Sequence, residues 1–446
     1  MSEKVIVLHP VLTQFNAGNE GEARKFARNP AAALKEAVGL AHAIDLEVVH
    51  AEIMRLKTAN PATLIGSGVV ERTKDIVHDR EAGLVFVDAA LSPVQQRNLE
   101  KEWHCKVIDR TGIILEIFGA RARTREGQLQ VELAMLNYQR SRLVKAWSHL
   151  ERQRGGGGFL GGPGETQVEL DRRLIDERIK KLKQDLEGVR QNRLIQRESR
   201  KREPYPIVAI VGYTNAGKST LFNRVTGAEV FVKDLLFATL DTTMRAIKLP
   251  SGKKAILSDT VGFISNLPTH LVAAFRATLE EVQDAAVILH VRDISQENTE
   301  AEKEDVLAIL NDLGIDAEKD DRIIEVLNKI DSLPEKERAA LLTRSKRQGK
   351  AVAVSALTGE GIDHLLEAVD ARLGRDQQVV YADIPLTDGK TLAWLYSRGH
   401  VMDRTDDEES AHVKVGLEPA DMERFCAQFP YKLGKSKTKK KKIKTS

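Results

Sequence analysis

Short apolar runs alternate with amphipathic stretches through the first part of the chain. The runs at residues 5–8, 46–49, 84–87 and 107–108 are typical of buried parallel strands. Helical periodicity fills the intervals between them, for example at residues 30–44 and 92–103. Strands that alternate with helices in this way predict a small α/β domain over residues 1–120.

The pattern then changes to that of two long helices. One apolar face recurs at intervals of three, four or seven residues, and it consists of Leu129, Leu133, Leu136, Leu143, Trp147 and Leu150. Residues 155–164 hold seven glycines and one proline, a composition that interrupts a helix. A second apolar series has the spacing of a coiled-coil seam: Ile175, Ile179, Leu182, Leu186 and Val189. Residues 121–203 are therefore predicted to form an antiparallel helical hairpin with a glycine-rich tip.

The pattern returns to alternating strands and helices after residue 203. Strand candidates lie at residues 207–211, 254–257, 287–291, 323–327 and 351–354. They predict a doubly wound, mostly parallel α/β domain over residues 204–376. A mixed segment at residues 377–431 predicts a small α+β domain, and the lysine-rich residues 432–446 predict a disordered tail.

The composition is that of a globular protein with several domains. Of 446 residues, 42% are hydrophobic and 30% are charged. Because the sequence has neither an apolar run of 18 residues nor a leader-like start, we expect a cytoplasmic protein without membrane insertion. Two cysteines, Cys105 and Cys426, are too few for a disulfide framework.

Positive charge is concentrated in two segments that the net charge of +3 conceals. The tail at residues 432–446 carries eight lysines and no acid, whereas residues 121–202 carry 20 Lys and Arg against 11 Asp and Glu. Such segments indicate a polyanionic partner. For the tail we favour RNA, with an anionic membrane surface as the alternative.

A phosphate-binding loop follows the strand at residues 207–211. The sequence from Gly212 to Ser219 fits the P-loop pattern G-x-x-x-x-G-K-[ST]. Backbone N–H groups of such a loop and the N-terminus of the next helix bind phosphate oxygens. We expect Lys218 to contact the β- and γ-phosphates and the Ser219 hydroxyl to ligate Mg²⁺. The predicted contacts are Gly212, Tyr213, Thr214, Asn215, Ala216, Gly217, Lys218, Ser219 and Thr220.

A second string, Asp259, Thr260, Val261 and Gly262, follows the strand at residues 254–257. A carboxylate at Asp259 can hold Mg²⁺, through water, while the N–H of Gly262 can bond the γ-phosphate. Phe263 stands where Ras-like GTPases place a glutamine that orients water. Because a phenyl ring cannot do this, we expect slow hydrolysis that a partner accelerates. A hydrophobic anchor is a compatible role for Phe263.

Two further strings predict the base. Asn328, Lys329, Ile330 and Asp331 end one strand, and Ser355, Ala356 and Leu357 follow the next. Asp331 can accept hydrogen bonds from guanine N1–H and the exocyclic amine, which adenine cannot match. Asn328 can contact the purine edge, and the 355–357 backbone can donate to guanine O6. Each string is weak alone, but all four in this order predict GTP.

A threonine is also needed between the P-loop and Asp259 to sense the γ-phosphate. Thr239, Thr242 and Thr243 are all available, and composition does not choose among them. Asn215 carries a separate hypothesis, which is that it helps to hold K⁺ between the phosphates; its ordinary alternative is a polar residue that stabilises the loop.

Taken together, these motifs resemble those of the HflX family of translational GTPases, within the Obg–HflX group. The resemblance also covers residues 109–112 (Asp-Arg-Thr-Gly), 121–124 (Arg-Ala-Arg-Thr) and 162–167 (Gly-Pro-Gly-Glu-Thr-Gln). It extends over about residues 45–370 and is less clear in the C-terminal segment.

The resemblance implies a monomeric, Mg²⁺-dependent GTPase. It implies binding to the large (50S) ribosomal subunit and its 23S rRNA through residues 121–203 and the N-terminal domain. It further implies that the GTP-loaded protein splits or rescues stalled 70S ribosomes under stress. It selects Thr239 as the Mg²⁺-binding switch threonine, within Phe237, Ala238, Thr239, Leu240 and Asp241. Family members have been reported to bind ATP at the N-terminus, but Gly66-Ser67-Gly68 is no Walker loop and does not predict a second nucleotide site.

The basic hairpin is the predicted RNA contact. Its candidate phosphate ligands are Arg140, Arg142, Arg152 and Arg154, and Phe159 and Leu160 at the tip could stack on or wedge beside a base. The plain alternative is a solvated helical spacer. Two other functions stay open, a GTP-dependent switch that recruits a protein without the ribosome and an RNA-remodelling or RNA-modifying enzyme.

Overall fold

The computed structural model describes residues 3–12, 29–153, 163–200, 205–227, 236–237, 243–265, 281–348, 351–374, 378–417 and 419–435. The chain divides into two compact units. The first consists of residues 1–247 and 255–363, and the second of residues 248–254 and 364–446. Segments predicted as an N-terminal domain, a hairpin and most of a GTPase domain thus share one unit, and the finer division into domains stays a prediction.

A parallel four-stranded sheet in the order β2-β1-β3-β4 forms the N-terminal part. Its strands are β1 (Lys4–Leu12), β2 (Glu47–Leu56), β3 (Leu84–Val87) and β4 (Lys106–Asp109). Its helices are α1 (Pro30–His42), α2 (Ser67–Arg80), α3 (Pro93–Trp103) and α4 (Arg110–Arg121). The four strand predictions are confirmed. Local capping explains two helix starts, since Ser92 and Gln95 form a capping box on α3 and Asp109 accepts the Gly112 N–H on α4.

The two predicted long helices are α5 (Arg125–Gln153) and α6 (Pro163–Arg200). They run antiparallel, since Glu132 pairs with Arg178 and Arg140 further along α5 pairs with the earlier Asp176. Ile179 and Leu182 are buried, as the seam predicted. One detail was wrong, because α6 begins at Pro163, inside the stretch expected to be non-helical. Proline suits a first turn, where its missing N–H has no helical partner.

A six-stranded sheet in the order β10-β9-β8-β5-β7-β6 forms the rest of the first unit. Its strands are β5 (Ile207–Gly212), β6 (Thr243–Lys248), β7 (Lys254–Asp259), β8 (Val287–Asp293), β9 (Ile323–Asn328) and β10 (Ala351–Ala353). Its helices are α7 (Lys218–Thr226), α8 (Thr299–Asp312) and α9 (Glu335–Gln348). The next helix, α10 (Ile362–Leu373), begins at the end of this unit, and its residues 364–373 belong to the second unit. β5 pairs in parallel with β7 on one side and β8 on the other, so the strand order reverses there. This switch point is where doubly wound folds bind ligands.

The N-terminal sheet and the six-stranded sheet share one hydrophobic core. Val7 and Phe86 belong to it together with Val211 and Phe263. Phe118 of α4 packs edge-on against Phe237, with ring centroids 4.7 Å apart. The contact between the two sheets is therefore part of the folded core.

The second unit contains an antiparallel sheet in the order β12-β13-β11-β14, as the α+β prediction required. Its strands are β11 (Gln378–Pro385), β12 (His400–Asp406), β13 (Ser410–Leu417) and β14 (Gly434–Lys435), and its helices are α11 (Gly389–Arg398) and α12 (Pro419–Gln428). Phe425 and Leu395 lie fully buried in its core.

The start of the predicted disordered tail at residues 432–446 needs correction, because Gly434 and Lys435 pair with Tyr381 and Val380. Residues 436–446 lie outside the described residues. Within the described residues, no helix has the length and apolar character needed to cross a lipid bilayer.

Candidate nucleotide-binding site

The P-loop connects β5 to α7 at the switch point of the six-stranded sheet. Gly212 adopts φ +152°, and a Cβ atom there would lie 2.2 Å from the Val291 carbonyl oxygen. A side chain at this position is therefore excluded. Asn215 takes a left-handed conformation, φ +59°, and its side chain is exposed at the crest of the loop.

Lys218, the first residue of α7, points back under the loop. Its ammonium group donates to the Tyr213 carbonyl oxygen at 2.7 Å. Burial lowers the pKa of Lys218 to about 8, although Asp259 partly opposes this shift. A bound polyphosphate would stabilise the protonated form of this buried ammonium group.

Ser219 and Asp259 come together beside Lys218. The Ser219 hydroxyl donates to Asp259 Oδ2 at 2.7 Å, and Asp259 is 1% exposed at the end of β7. A hydroxyl and a carboxylate in contact are a hard oxygen donor set of the kind that Mg²⁺ prefers. The residues present therefore fit the predicted metal.

The segment after β7 lies directly on the P-loop. Thr214 N–H donates to the Phe263 carbonyl oxygen at 2.7 Å, and Phe263 N–H donates to the Gly212 carbonyl oxygen at 3.1 Å. A Cβ atom on Gly262 would lie 2.9 Å from Lys218 Nζ and 3.0 Å from Thr214, so a side chain would clash. Thr260 donates to the Ile210 carbonyl oxygen at 2.6 Å, which holds the segment to β5. Phe263 itself is buried in the core.

Asn328 connects its own motif, residues 328–331, to the P-loop and to the 355–357 motif. Its Nδ2 donates to the Ala216 carbonyl oxygen at 2.8 Å, and its Oδ1 accepts the Ala356 N–H at 3.0 Å. Asn328 is 1% exposed, so it clamps the P-loop to the 355–357 loop. Its predicted contact with the purine, like the donation from the 355–357 backbone to guanine O6, stays a prediction.

Asp331, like Asn328, contacts the 355–357 loop. It lies in a 3₁₀ turn (Ile330–Ser332), and its Oδ1 accepts a hydrogen bond from the Ser355 hydroxyl at 2.6 Å. Lys329 adopts φ +64° and pairs with Asp293 at 2.8 Å. These contacts bring the carboxylate of Asp331 and the 355–357 backbone to one place, as a guanine site requires.

Sequence reasoning missed a residue that supports this loop. Arg224, in the last turn of α7, donates from Nε to the Ala356 carbonyl oxygen at 3.1 Å and from Nη2 to the Leu357 carbonyl oxygen. Its partners lie more than 130 residues away. No local pattern marks such a contact.

The switch region is described only in part. Ala238, Thr239, Leu240, Asp241 and Thr242 lie outside the described residues, so the choice of Thr239 stays a prediction. Phe237 is buried, and Thr243 is the first residue of β6.

Two of the four hairpin arginines predicted to contact phosphate already pair with carboxylates, and their contact with RNA stays a prediction. Arg142 pairs with Asp109 at 2.6 Å, and its side chain is only 18% exposed. Arg140 pairs with Asp176 at 3.0 Å. Arg154, Phe159 and Leu160 lie outside the described residues, as does the side chain of Arg152. The exposed basic residues of the described part of α6 are Arg172, Arg173, Arg178, Lys180, Lys181 and Lys183, of which Arg178 pairs with Glu132.

Four family models match successive parts of the chain. They describe a GTP-binding GTPase N-terminal region (residues 31–119), a GTP-binding GTPase middle region (residues 121–200), a 50S ribosome-binding GTPase (residues 207–329) and an HflX C-terminal domain (residues 340–442). The last match extends the family likeness into the segment where the sequence motifs were least clear.

Curated relatives match over nearly the whole length. GTPase HflX of Magnetococcus marinus is 50% identical over 392 residues, covering 88% of this chain and 89% of its own. GTPase HflX of Escherichia coli is 42% identical over 398 residues, covering 89% and 92%. Among solved structures, a GTP-binding protein from Sulfolobus solfataricus in complex with GDP has a TM-score of 0.43 and 22% identity, covering 83% of this chain and 98% of its own.

Proposed function

Because the chain belongs to the HflX family of GTPases, we propose that it is a translational GTPase that binds the large ribosomal subunit. In its GTP state it splits or rescues 70S ribosomes. The observation that supports this most is one compact unit that joins a nucleotide site to a long basic hairpin. GTP hydrolysis is the family's activity, and the ribosomal role is the part proposed.

Six of the predicted site residues have a specific proposed role. Lys218 neutralises the phosphates, and Ser219, Thr239 and Asp259 would hold Mg²⁺, which supplies charge neutralisation between the β- and γ-phosphates. Gly262 offers its N–H to the γ-phosphate, and Asp331 selects guanine. The contact of 2.7 Å between Ser219 and Asp259 and the closeness of Gly262 to Lys218 support these roles.

Slow unaided hydrolysis is part of the proposal. Phe263 is 3% exposed and packs in the shared core, so it has neither the chemistry nor the position to orient water. Acceleration then requires a group or an ordering contact from a partner. We propose that the large subunit provides it.

The exposed lysines of α6 are the proposed contact with rRNA. Attraction to the phosphate backbone supplies affinity that falls with salt, and residues such as Lys180, Lys181 and Lys183 face solvent. Arg140 and Arg142 are better understood as groups that fasten the hairpin, since each already pairs with a carboxylate.

Sedimentation of 70S ribosomes with this protein tests the proposal. We expect dissociation into subunits with GTP and with a non-hydrolysable analogue, but intact 70S ribosomes with GDP. Large subunits should also raise the GTP turnover rate. Unchanged 70S ribosomes in all three nucleotides, or the same dissociation with GDP, would contradict the splitting role. Absence of co-sedimentation with large subunits would favour a switch that acts on a protein partner.

A further inference from the structure

We propose that Glu36 and Arg110, both in the N-terminal part of the chain, are positioning residues for GTP hydrolysis. They brace the P-loop against the segment that follows Gly262. The brace consists of Glu36, Arg110, Tyr213 and Ser265, and we call these residues the Arg110 brace. The proposal gives a role to Arg110, which the nucleotide site itself does not use.

Tyr213 and Ser265 are the two residues through which the brace meets the GTPase core. The Tyr213 hydroxyl, on the P-loop, donates to Glu36 Oε2 at 2.6 Å. The same hydroxyl accepts the Ser265 N–H at 2.9 Å. Arg110 donates from Nη2 to Ser265 Oγ at 2.8 Å and from Nε to the Ser265 carbonyl oxygen at 3.3 Å. Ser265 is thus held at its N–H, its hydroxyl and its carbonyl.

Arg110 is itself fixed by two carboxylates. It pairs with Glu36 and with Asp88, and it is 6% exposed. Burial alone would raise the pKa of Asp88, but Arg110 and the hydrogen bond with His9 outweigh burial and lower it. A buried arginine between two carboxylates has little freedom to move, because breaking either pair leaves a desolvated charge.

The braced segments flank the atoms proposed to contact the γ-phosphate. Phe263 forms a parallel bridge with Tyr213, and Ser265 lies two residues further along. Gly262 lies between this bridge and β7. Tyr213 is bonded to Glu36, Ser265 is bonded to Arg110, and Arg110 pairs with Glu36. The Gly262 N–H is therefore presented in a fixed register with Lys218. An ordered donor of this kind lowers the barrier without reorganisation during the reaction.

The brace should affect the hydrolysis of GTP and not the binding of GDP. GDP lacks the γ-phosphate that Gly262 contacts in the proposed function, on which this inference rests. Loosening the brace should therefore slow hydrolysis and leave GDP affinity unchanged. The ribosomal role is not needed for this effect, so a failure of ribosome splitting and a failure of the brace are separate results.

Three single variants and one matched control test the proposal in the full-length protein without ribosomes. Tyr213→Phe removes the hydroxyl that joins Glu36 to Ser265, Ser265→Ala removes one acceptor, and Glu36→Ala removes the carboxylate. Tyr138→Phe is the control, because the Tyr138 hydroxyl also donates to a carboxylate, Asp109, at 2.6 Å, and neither residue belongs to the brace.

Single-turnover GTP hydrolysis should fall about five- to tenfold in Tyr213→Phe and Glu36→Ala, the factor that one lost hydrogen bond corresponds to, and less in Ser265→Ala. GDP affinity should stay within about twofold of the wild type, and Tyr138→Phe should hydrolyse at the wild-type rate. Glu36→Gln, which retains an acceptor, should recover most of the rate. The Tyr213→Phe/Glu36→Ala double variant should be no slower than the slower single variant, because both act through one contact.

Wild-type rates in Tyr213→Phe, Ser265→Ala and Glu36→Ala would overturn the brace. An equal loss in Tyr138→Phe, or an equal loss of GDP affinity, would also overturn it, since either shows a general structural effect. Thermal unfolding checks each variant. If Glu36→Ala fails to fold, Tyr213→Phe and Ser265→Ala decide the question from the GTPase side.

Discussion

Replacement of Asp331 by asparagine should change the nucleotide that the protein prefers without unfolding the site. The carboxylate of Asp331 is held by the Ser355 hydroxyl at 2.6 Å, and an asparagine at this position can still accept that bond. It would present an amide N–H₂ group to the base where the wild type presents an oxygen. The amide N–H₂ group of the variant then faces the N–H donors of guanine, and no hydrogen bond forms between them. Xanthine has a carbonyl at C2, which can accept a hydrogen bond from this amide.

The size of the effect follows from the two hydrogen bonds that Asp331 is proposed to accept from guanine. Hydrogen bonds to a charged group contribute about 1.5–3 kcal/mol each, so the loss is about 3–6 kcal/mol. This corresponds to GTP binding that is weaker by a factor of about 10²–10⁴. Xanthosine triphosphate should regain much of this, because its 2-carbonyl accepts from the new amide.

Competition binding measures the change in nucleotide preference. GTP, XTP and ATP compete with a fluorescent guanine nucleotide for the wild type and with a fluorescent xanthine nucleotide for the variant. Asp316→Asn is the matched control, since Asp316 is an exposed aspartate paired with Lys319 at 3.3 Å and makes the same change of charge. It should retain the wild-type order of affinities. If Asp331→Asn keeps its preference for GTP over XTP, the guanine site is not where these residues place it.

Three other outcomes are expected. Replacing Lys180, Lys181 and Lys183 together by glutamine should lower the slope of log affinity for large subunits against log salt by about two to three, while GTP affinity stays the same; an unchanged slope would remove α6 from the rRNA contact. Burial lowers the pKa of Lys218 in the nucleotide-free protein to about 8, and bound phosphate should raise this pKa again. GTP binding should therefore take up protons near pH 8 and weaken as the pH rises further. Calorimetry in buffers with different heats of ionisation would detect the proton uptake. Asn215→Gly tolerates the left-handed backbone and should abolish any stimulation of hydrolysis by K⁺ over Na⁺; equal stimulation in the variant would exclude Asn215 as a potassium ligand.

The elements of the fold that depend on local patterns could be predicted from the sequence. Parallel strands such as β3 and β8 read as continuous apolar runs because both of their faces are buried. The P-loop could be placed because the pattern from Gly212 to Ser219 stands between a strand and a helix. The structure gives the reason for the first glycine, since a Cβ atom on Gly212 would lie 2.2 Å from the Val291 carbonyl oxygen. The hairpin seam followed from the spacing of Ile179 and Leu182.

The contacts that support the site could not be predicted, because they join residues far apart in the sequence. Glu36 and Tyr213 are separated by 177 positions, and Arg110 and Ser265 by 155. A glutamate in an N-terminal helix is ordinarily a solvated residue, and nothing in its neighbours marks it as the partner of a P-loop tyrosine. The start of α6 at Pro163 was missed for a local reason, since glycine-rich composition was given more weight than the preference of proline for the first helical turn.

Helix α4 connects the N-terminal part of the chain to both segments proposed to surround the γ-phosphate. Phe118 on this helix packs edge-on against Phe237, two positions before the proposed switch threonine, while Arg110 at its start holds Ser265 after Gly262. Both segments that are proposed to surround the γ-phosphate are thus anchored on one helix of 12 residues. Asp109, which caps α4, accepts hydrogen bonds from Tyr138 and Arg142 of the hairpin helix α5, each at 2.6 Å. A rearrangement at the γ-phosphate that displaced Phe237 or Ser265 would therefore have to move α4 or break a buried contact. Because α4 is bound to α5 through Asp109, movement of α4 would reach the hairpin.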